Sequence, residues 1–255
     1  MKKICIIPAR MGSSRFPGKP LAKIKGKTMI ERVYKRSSYS QNLDYIIVAT
    51  PDQSIIKVVE DFGGKAIITS NKHQRASDRC AEALRKIETE VNKKFDIVVM
   101  VQGDEPLVHP EMINESIEEL ISNPSINVVN LLGKIDKQSQ LDDQNTIKVV
   151  VDKYNNALYF SRLGIPFKNN LMRDEVGKQV CVIPFRRHFL IEYLKMEETK
   201  LEKLESIDML RILQNGYKVR MKRTEYKSHP VDIKSDILIV EEMLQHDSFY
   251  KKHGY

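Results

Sequence analysis

Residues 4–20 join a short apolar run to a basic loop, and they read Ile4-Cys5-Ile6-Ile7-Pro8-Ala9-Arg10-Met11-Gly12-Ser13-Ser14-Arg15-Phe16-Pro17-Gly18-Lys19-Pro20. The run 4–7 is continuous and rich in β-branched side chains, which is typical of a strand buried on both faces. The loop that follows carries small residues and several cations. The sequence therefore predicts a buried first strand whose carboxyl end leads into a polar, positively charged loop.

The same kind of apolar run returns three more times in the first hundred residues, at 45–49, 65–68 and 97–101. Helix-length segments with apolar residues three and four positions apart separate these runs, at 28–39, 53–62 and 77–91. Such alternation predicts an α/β fold with a mostly parallel central sheet and helices on both faces. Ligands of such sheets bind at the carboxyl ends of the strands. We therefore expect a nucleotide-sized site in the first half of the chain.

The rest of the chain favours a smaller antiparallel region and a closing helix. Strands are predicted at 127–132, 146–151, 157–160, 179–183 and 217–221, with a hairpin loop at 152–156. Helices are predicted from about 111 to 121, from 201 to 213 and from about 234 to 244, and loops at 134–145 and 168–177. No stretch resembles a linker between independent domains, so we predict a single domain over 1–255.

Composition excludes several classes of protein. The chain has 255 residues, of which 41% are hydrophobic and 30% charged, and it lacks the run of about 18 apolar residues that a membrane span requires. The apolar run near Met1 is too short for a signal peptide, which predicts a cytoplasmic protein without membrane insertion. Cys5, Cys80 and Cys181 form no paired motif, so neither a disulfide framework nor a zinc site is expected.

The net charge of +8 leaves two kinds of function open at this point. A basic surplus suits a phosphorylated substrate, and it also suits a basic module that binds RNA or anionic lipid. The lysines are spread along the chain without the interleaved aromatic residues of a nucleic-acid stacking surface. We therefore expect no nucleic-acid partner and keep the binding module as the less favoured alternative.

The loop after the first strand is suited to binding a phosphate chain. The backbone N–H groups of residues 12–14 can form an anion-binding nest, and Arg10, Arg15 and Lys19 can neutralise a triphosphate. The loop is not a Walker A motif, because five residues separate Gly12 from Gly18 and a proline follows Lys19. The alternative is a basic surface loop without a ligand.

Two aspartates are candidate metal ligands. Asp104 follows the strand 97–101 behind Gly103, at the same sheet edge as the basic loop, and Asp232 lies between an apolar segment and the last predicted helix. Mg²⁺ bound to a triphosphate commonly takes one or two protein carboxylates. The alternative for Asp232 is an acid at the start of a helix, and the neighbouring Glu105 can be a solvated acid.

Several motifs in the same order resemble one enzyme family. These are Ile7-Pro8-Ala9-Arg10 continuing through Pro17-Gly18-Lys19-Pro20-Leu21, the run Val101-Gln102-Gly103-Asp104-Glu105-Pro106, the blocks at 145–150, 157–166, 201–205 and 210–213, and Val231-Asp232 with Asp236. They are similar to the sugar-acid cytidylyltransferases, and especially to the 3-deoxy-manno-octulosonate (Kdo) cytidylyltransferases, over essentially the whole chain. The resemblance implies a Rossmann-like nucleotidyltransferase fold and transfer of CMP from CTP to a sugar acid with release of pyrophosphate. It also implies Mg²⁺ as cofactor, a homodimer, and a role in bacterial surface polysaccharide or lipopolysaccharide synthesis.

The resemblance assigns the nucleotide and metal roles as follows. Residues of about 1–130 form the CTP-binding half, about 131–230 the acceptor and dimerisation part, and 231–255 the second metal ligand with the closing helix. The residues implied for catalysis are Arg10, Lys19, Asp104 and Asp232, and the two aspartates are the implied metal ligands. The residues implied for CTP binding are Ala9, Arg10, Gly12, Ser13, Ser14, Arg15, Lys19, Ser77, Arg79, Gln102 and Asp104.

The acceptor side departs from the family pattern. The implied acceptor residues are Lys148, Arg162, Gln179, Glu205 and Met209. Gln179 stands where the Kdo enzymes have a histidine that touches the sugar acid, and Met209 stands where they have a glutamine. A thioether offers no useful hydrogen bond to a sugar hydroxyl. A modified or different sugar acid is therefore the alternative to Kdo as acceptor.

Overall fold

The computed structural model describes residues 1–13, 15–167 and 176–255. The chain forms two compact units. The first unit comprises residues 1–114 together with 228–255, and the second comprises 115–227. The sequence analysis instead predicts three successive parts of one domain, with boundaries at about 130 and 230. In the structure the C-terminal segment 228–255 belongs to the first unit, where Val231, Val240 and Leu244 pack with Ile24, Met29 and Leu107.

The first unit is built on parallel strands, as the alternating pattern predicts. Its main strands are β1 (Lys3–Pro8), β4 (Tyr45–Thr50), β5 (Ala66–Ile68) and β6 (Ile97–Val101), with a small hairpin of β2 (Lys23–Ile24) and β3 (Lys27–Thr28). Within this unit the strand order is β6-β1-β4-β5, and each of these pairings is parallel. Every residue of β6 is buried, in agreement with its continuous apolar run.

Helices follow the strands of this unit. They are α1 (Met29–Ser38), α2 (Gln53–Asp61), α3 (Ala76–Glu90), the start of α4 (Pro110–Ser122), α9 (Asp236–His246) and α10 (Ser248–His253), with a short 3-10 helix at Lys19–Leu21. The Thr28 hydroxyl accepts the Glu31 N–H and caps α1. The helices predicted at 28–39, 53–62, 77–91 and about 234–244 are confirmed within two residues at each end.

Arg36 ties three parts of the first unit together. It is 1% exposed and pairs with Asp247, just before α10, at 2.7 Å. Its Nε donates to the carbonyl of Val108 at 2.7 Å, and Nη2 reaches the carbonyl of Leu107. A buried guanidinium is stable only when its donors are satisfied, and here they are taken by elements distant in sequence. Arg36 thereby fixes the turn that follows β6 against α1 and the C-terminal helices.

The second unit has a mostly antiparallel sheet. Its strands are β7 (Val129–Gly133), β8 (Lys148–Val151), β9 (Ala157–Ser161), β10 (Val176–Val180), β11 (Val182–Arg186) and β12 (Arg220–Arg223), and its helices are α5 (Gln138–Asp142), α6 (Arg187–Tyr193), α7 (Lys200–Glu205) and α8 (Met209–Gln214). The sheet order is β12-β7-β10-β8-β9, with only β12 and β7 parallel. The predicted hairpin at 152–156 is confirmed between β8 and β9.

Five predictions in this unit differ in detail from the structure. The helix predicted over 201–213 is two helices, because Ser206 adopts a left-handed backbone with φ of 55° and ends α7. The strand predicted at 179–183 is divided at Cys181 into β10 and β11, and the strand predicted at 217–221 begins only at Arg220. The predicted loop at 134–145 contains the short helix α5, whose polar sequence gives no apolar periodicity. Of the loop predicted at 168–177, residues 168–175 lie outside the described residues and the last two begin β10.

Within the ranges that the structure describes, no helix combines the length and the apolar character needed to cross a membrane.

Candidate active site

The loop after β1 is held in place by contacts at both of its ends. The Met11 N–H donates to Asp52 Oδ2 at 2.8 Å, and the Met11 carbonyl accepts the N–H groups of Ser13 and Gly18, each at 3.0 Å. Gly18 has φ of 74°, a left-handed conformation that favours glycine, and it leads directly into the 3-10 helix that carries Lys19. The Ser13 N–H is therefore used inside the loop, whereas Arg10 and Arg15 are exposed. Ser14, the third member of the predicted nest, lies outside the described residues.

The turn after β6 brings Asp104 close to this loop. A side chain at Gly103 would place its Cβ 2.9 Å from the carbonyl oxygen of Pro8, so only glycine allows this approach of the turn to the end of β1. The Lys19 ammonium then lies 2.6 Å from Asp104 Oδ2. The spatial meeting of the basic loop with Asp104, which the sequence predicts from strand ends, is thus present in the structure.

A second segment of chain brings Asp232 to the same place. Val231 is fully buried in an apolar cluster with Met29 and Leu107, and its N–H donates to the carbonyl of Asp104 at 2.9 Å. Asp232 follows immediately at the edge of that core, where its carboxylate pairs with Arg15 at 2.7 Å. The geometry does not support the helix-cap alternative for Asp232, since its carboxylate contacts Arg15 and α9 has no side-chain cap.

The pKa of Asp232 responds to burial and to the charges around it. Burial raises the pKa of the Asp232 carboxyl above its ordinary value, and the negative charge of Asp104 raises it further. The positive charges of Arg15 and Lys19 act in the opposite direction. Two carboxylates that repel each other and attract cations are what a divalent metal site requires.

The donor set fits magnesium. Both candidate ligands are carboxylates, Asp104 in the turn after β6 and Asp232 in the segment before α9, and carboxylate oxygens are the donors that Mg²⁺ prefers. The side chains of Asp104 and Asp232 are 22% and 15% exposed. In the part of the chain that the structure describes, no group of three His, Cys, Asp or Glu residues could hold a metal. A two-carboxylate site of this kind is suited to a metal that also binds the phosphates of a substrate.

A hydrogen bond between Glu105 and Ser228 stabilises the turn that carries Asp104. Glu105 is 2% exposed, and its carboxylate accepts a short hydrogen bond from the hydroxyl of Ser228. The expectation that Glu105 can be a solvated acid is therefore wrong. Its role is to fasten the segment that carries Asp232 to the turn that carries Asp104.

The other predicted nucleotide residues divide into accessible and buried groups. Gln102 is half-buried in the turn after β6, while Ala9 and Ser77 are buried. Arg79 is 3% exposed, and its guanidinium donates to Thr69 Oγ1 at 2.6 Å and to the carbonyl of Ser70 at 3.0 Å. Burial lowers the pKa of Arg79, and the nearby charge of Arg10 lowers it further. In the structure Arg79 therefore supports the 69–73 loop beside Arg10, and a direct contact with a nucleotide stays a prediction.

The two predicted acceptor cations are held by backbone carbonyls of the second unit. The Lys148 ammonium donates to the carbonyls of Asp143, Thr146 and Arg162 at 2.8, 2.6 and 2.5 Å, and its side chain is fully buried. Burial lowers the pKa of Lys148. The Arg162 guanidinium donates to the carbonyls of Glu205 and Gln144 at 2.7 and 2.9 Å. Both cations stabilise the fold locally, and their acceptor roles stay predictions.

Of the remaining predicted acceptor residues, two form hydrogen bonds within the protein and the third is buried. Glu205 accepts the Arg162 N–H at 2.8 Å and the Ser161 hydroxyl at 3.1 Å. The Gln179 amide donates to Asn130 Oδ1 at 2.6 Å and remains half-buried on β10. Met209 has no exposed surface. A sugar can reach Met209 only if its neighbours move, so the structure gives no support to a direct contact there.

Asp52 positions the basic loop, and it is not among the residues predicted from the sequence. It lies just beyond β4, at the same carboxyl edge of the sheet as the basic loop, and it fixes Met11. The rule that ligand-site residues follow the strands of such sheets would have pointed to it. The signal was overlooked because an acid before a helix is also a common capping residue.

Comparisons with known proteins show the family of the chain. A family model described as "Cytidylyltransferase" matches residues 4–224. The 3-deoxy-manno-octulosonate cytidylyltransferase of Thermodesulfovibrio yellowstonii is 41% identical over 96% of this chain and 98% of its own length. The protein of the same name from Fusobacterium nucleatum is also 41% identical, over 93% of this chain and 94% of its own length.

Solved structures give the same result. A structure of CMP:2-keto-3-deoxy-manno-octonic acid synthetase complexed with CTP superposes with a TM-score of 0.86 and 34% sequence identity, and the match covers 96% of this chain and 99% of that one. A 4-diphosphocytidyl-2C-methyl-D-erythritol synthase from Anaerococcus prevotii, with a TM-score of 0.65 and 19% identity, shares the fold. The predicted α/β nucleotidyltransferase fold is thereby confirmed. The chain is an enzyme of the cytidylyltransferase family, and within that family it belongs to the 3-deoxy-manno-octulosonate cytidylyltransferases.

Proposed function

We propose that this enzyme transfers CMP from CTP to Kdo in a Mg²⁺-dependent reaction that releases pyrophosphate. The observation that carries the proposal is the meeting of Lys19 and Arg15 with Asp104 and Asp232 at one sheet edge of the first unit. Four charged side chains of this kind are suited to a metal-bound triphosphate. The identity of about 41% with the Kdo enzymes over nearly the whole chain supports Kdo as the acceptor.

In the proposed reaction, a hydroxyl oxygen of the sugar acid attacks the α-phosphorus of CTP. The new P–O bond forms as the bond to the bridging oxygen of pyrophosphate breaks, and the hydroxyl proton passes to solvent. Arg10, Arg15 and Lys19 bind the β- and γ-phosphates and neutralise the charge that develops on pyrophosphate. Asp104 and Asp232 would hold Mg²⁺, which when bound neutralises phosphate charge and orients the reacting groups. No covalent intermediate with the protein is required.

The turn after β6 and the loop next to it would recognise the nucleotide base. Gln102 follows β6 directly and remains accessible, so its amide can hydrogen-bond the cytosine edge. A site that pairs its buried polar groups with one base rejects bases that leave them unpaired. We therefore propose CTP as the nucleotide in preference to UTP, ATP and GTP.

A modified sugar acid is the second candidate acceptor. It rests on Gln179, which stands where the resemblance to the Kdo enzymes implies a histidine and which cannot carry a positive charge toward a carboxylate. The burial of Met209 removes the other argument for an altered acceptor, because a side chain without exposed surface does not contact a substrate. Kdo is therefore the preferred acceptor.

The proposed chemistry also indicates a pathway and a cellular compartment for the enzyme. The CMP-activated sugar would serve lipopolysaccharide or other surface polysaccharide synthesis, and CTP consumption would place the reaction in the cytoplasm. We further propose a homodimer that forms through the second unit, where Leu158 and Leu204 are exposed.

The test measures pyrophosphate release from CTP and Mg²⁺ with Kdo and a panel of other sugar acids. We expect release with Kdo and CTP, and a loss of at least about 100-fold in kcat for Asp104→Asn and for Asp232→Asn, because each substitution neutralises a ligand of a charge-dense metal. Asp152→Asn, in the hairpin of the second unit, is the control and should retain activity. Near-native turnover of either site variant would exclude that aspartate as a ligand, and turnover with another acid but not with Kdo would establish the second candidate.

A further inference from the structure

Asp236 makes contacts that bear directly on Asp232. It is the first residue of α9, and its Oδ2 accepts the N–H of Asp232 at 2.7 Å and the N–H of Ile233 at 2.9 Å. Its other oxygen, Oδ1, lies 3.7 Å from His229 Nε2. The side chain of Asp236 is only 14% exposed. Both oxygens therefore face groups of the protein that surround the Asp232 segment.

These contacts differ from ordinary helix capping. An N-cap side chain accepts N–H groups that lie after it in sequence, whereas the acid of a capping box reaches back to one N–H just before the helix. Asp236 instead accepts N–H groups three and four residues before it, outside α9. Its carboxylate therefore organises the backbone of the site segment and not the first turn of the helix.

The Asp232 segment needs such an anchor because it belongs to no strand or helix. On one side of Asp232 the N–H of Val231 donates to the carbonyl of Asp104, and on the other side the carboxylate of Asp236 takes the next two N–H groups. Hydrogen bonds from N–H groups to a carboxylate are stronger than neutral ones. Three consecutive amides are thus fixed, and they hold the Asp232 side chain beside Asp104.

From this arrangement we infer that Asp236 is a positioning residue, which orients Asp232 as a metal ligand through the backbone without binding the metal itself. Its Oδ2 already accepts two donors, so it is not a free ligand. The inference rests on the proposed function in one respect, namely that Asp232 binds the metal. Groups that orient a metal ligand commonly change metal affinity by about 10–100-fold when they are removed.

The experiment uses Mn²⁺ as the probe and CTP without any sugar acid. Protein-bound Mn²⁺ is measured by enhanced water-proton relaxation for the wild type, Asp236→Ala and Asp236→Asn. We expect Asp236→Ala to weaken Mn²⁺ binding by about 10–100-fold. Asp236→Asn keeps an oxygen acceptor in the same position, so it should recover most of the lost affinity. In pyrophosphate-release assays, the Mg²⁺ concentration for half-maximal rate should rise in the same order, while kcat at saturating Mg²⁺ changes less.

Asp152→Ala is the matched control. The Asp152 side chain also accepts two backbone N–H groups, those of Tyr154 and Asn156, each at 2.8 Å, in the hairpin between β8 and β9. Its removal should lower thermal stability without changing Mn²⁺ binding. Asp236→Glu, which keeps the charge but displaces the oxygens, replaces the alanine variant if that variant does not fold, and it should weaken Mn²⁺ binding in the same direction.

Two results would overturn the inference. Wild-type Mn²⁺ affinity in both Asp236→Ala and Asp236→Glu would show that Asp232 is oriented without this carboxylate. Absence of CTP-dependent Mn²⁺ binding in the wild-type enzyme would overturn the proposed function together with this inference. The first result leaves the proposed function intact, so the two failures are distinguishable.

Discussion

The side chains of Lys19 and Arg15 have two possible partners in this site. In the structure they pair with Asp104 and Asp232 at 2.6 and 2.7 Å, and in the proposed reaction they bind the phosphates of CTP. Carboxylates that pair with these cations attract a metal less strongly. CTP, by drawing the cations to its phosphates, should therefore make the carboxylates available for Mg²⁺.

If the cations exchange carboxylates for phosphates, Lys19→Met should change the binding of Mn²⁺ and the binding of CTP in opposite directions. Lys19→Met should strengthen the binding of Mn²⁺ alone by about threefold to tenfold, because Asp104 loses its competing cation, and it should weaken the binding of CTP. Isothermal titration with Mn²⁺ alone, and with CTP and no metal, measures both effects. Lys27→Met, which removes a lysine paired with Glu31 at the surface, is the control. Weaker Mn²⁺ binding by Lys19→Met would contradict the exchange.

Among the elements, α3 anchors the 69–73 loop, which lies beside Arg10. Glu82 on α3 accepts the Ser70 N–H at 2.9 Å, contacts His73 Nε2 at 2.5 Å and pairs with Lys86 at 2.8 Å. Partial burial acts to raise its pKa, but hydrogen bonds from Lys86, Ser70 and His73 outweigh burial and lower the pKa of Glu82 to about 2. The charged carboxylate therefore stabilises the attachment of the loop to the helix.

The stabilisation by the Glu82 carboxylate should weaken as the pH falls. Because the folded pKa lies below the ordinary value of 4.5, the stabilisation is complete above about pH 4.5 and is lost as the pH falls toward about 2. Glu82→Gln should lower the free energy of unfolding by about 1–2 kcal/mol at pH 7, and its difference from wild type should shrink as the pH falls below 4.5.

Urea unfolding of both proteins between pH 7 and pH 3.5 measures this change. Glu90→Gln, at the exposed end of the same helix, is the control and should show a small difference at every pH. A difference between Glu82→Gln and wild type that stays constant over this range would contradict the assignment.

At the scale of the whole molecule, the second unit carries apolar side chains that its own core does not cover. Leu158 on β9 is 61% exposed and Leu204 on α7 is 81% exposed. β9 also stands at the edge of the sheet order in this unit, although the N–H of its first residue, Ala157, donates to the carbonyl of Val219 at 2.8 Å. The edge beyond Ala157 can pair with another chain. An exposed apolar surface on an edge strand is typical of a protein interface.

The proposed homodimer therefore predicts that a charge on this surface yields monomers. Leu158→Glu should shift the mass measured by light scattering after gel filtration from twice the chain mass of 29.5 kDa to that mass. Leu238→Glu is the matched control, since Leu238 is 71% exposed on α9 of the first unit, and this variant should remain dimeric. A wild-type protein that elutes as a monomer would exclude the dimer.

Local pattern was sufficient for much of the fold. The runs that form β1, β4, β5 and β6 and the periodic segments that form α1, α2 and α3 were predicted within two residues, because burial on both faces and helical amphipathicity are visible over a few neighbouring residues. The break at Ser206 was missed, because the apolar spacing continues through it and only packing selects its left-handed backbone.

The sequence by itself determined the type of sheet and which strand ends carry the cations and acids of the site. Tertiary structure alone decided which of these residues become partners. Arg15 and Asp232 pair although they lie 217 positions apart, and Lys148 is held by three carbonyls although the resemblance implies that it binds the acceptor. The physical reason is that propensity and periodicity act over a few residues. A hydrogen bond or ion pair, in contrast, depends on the final distance between atoms, which only the packed core fixes.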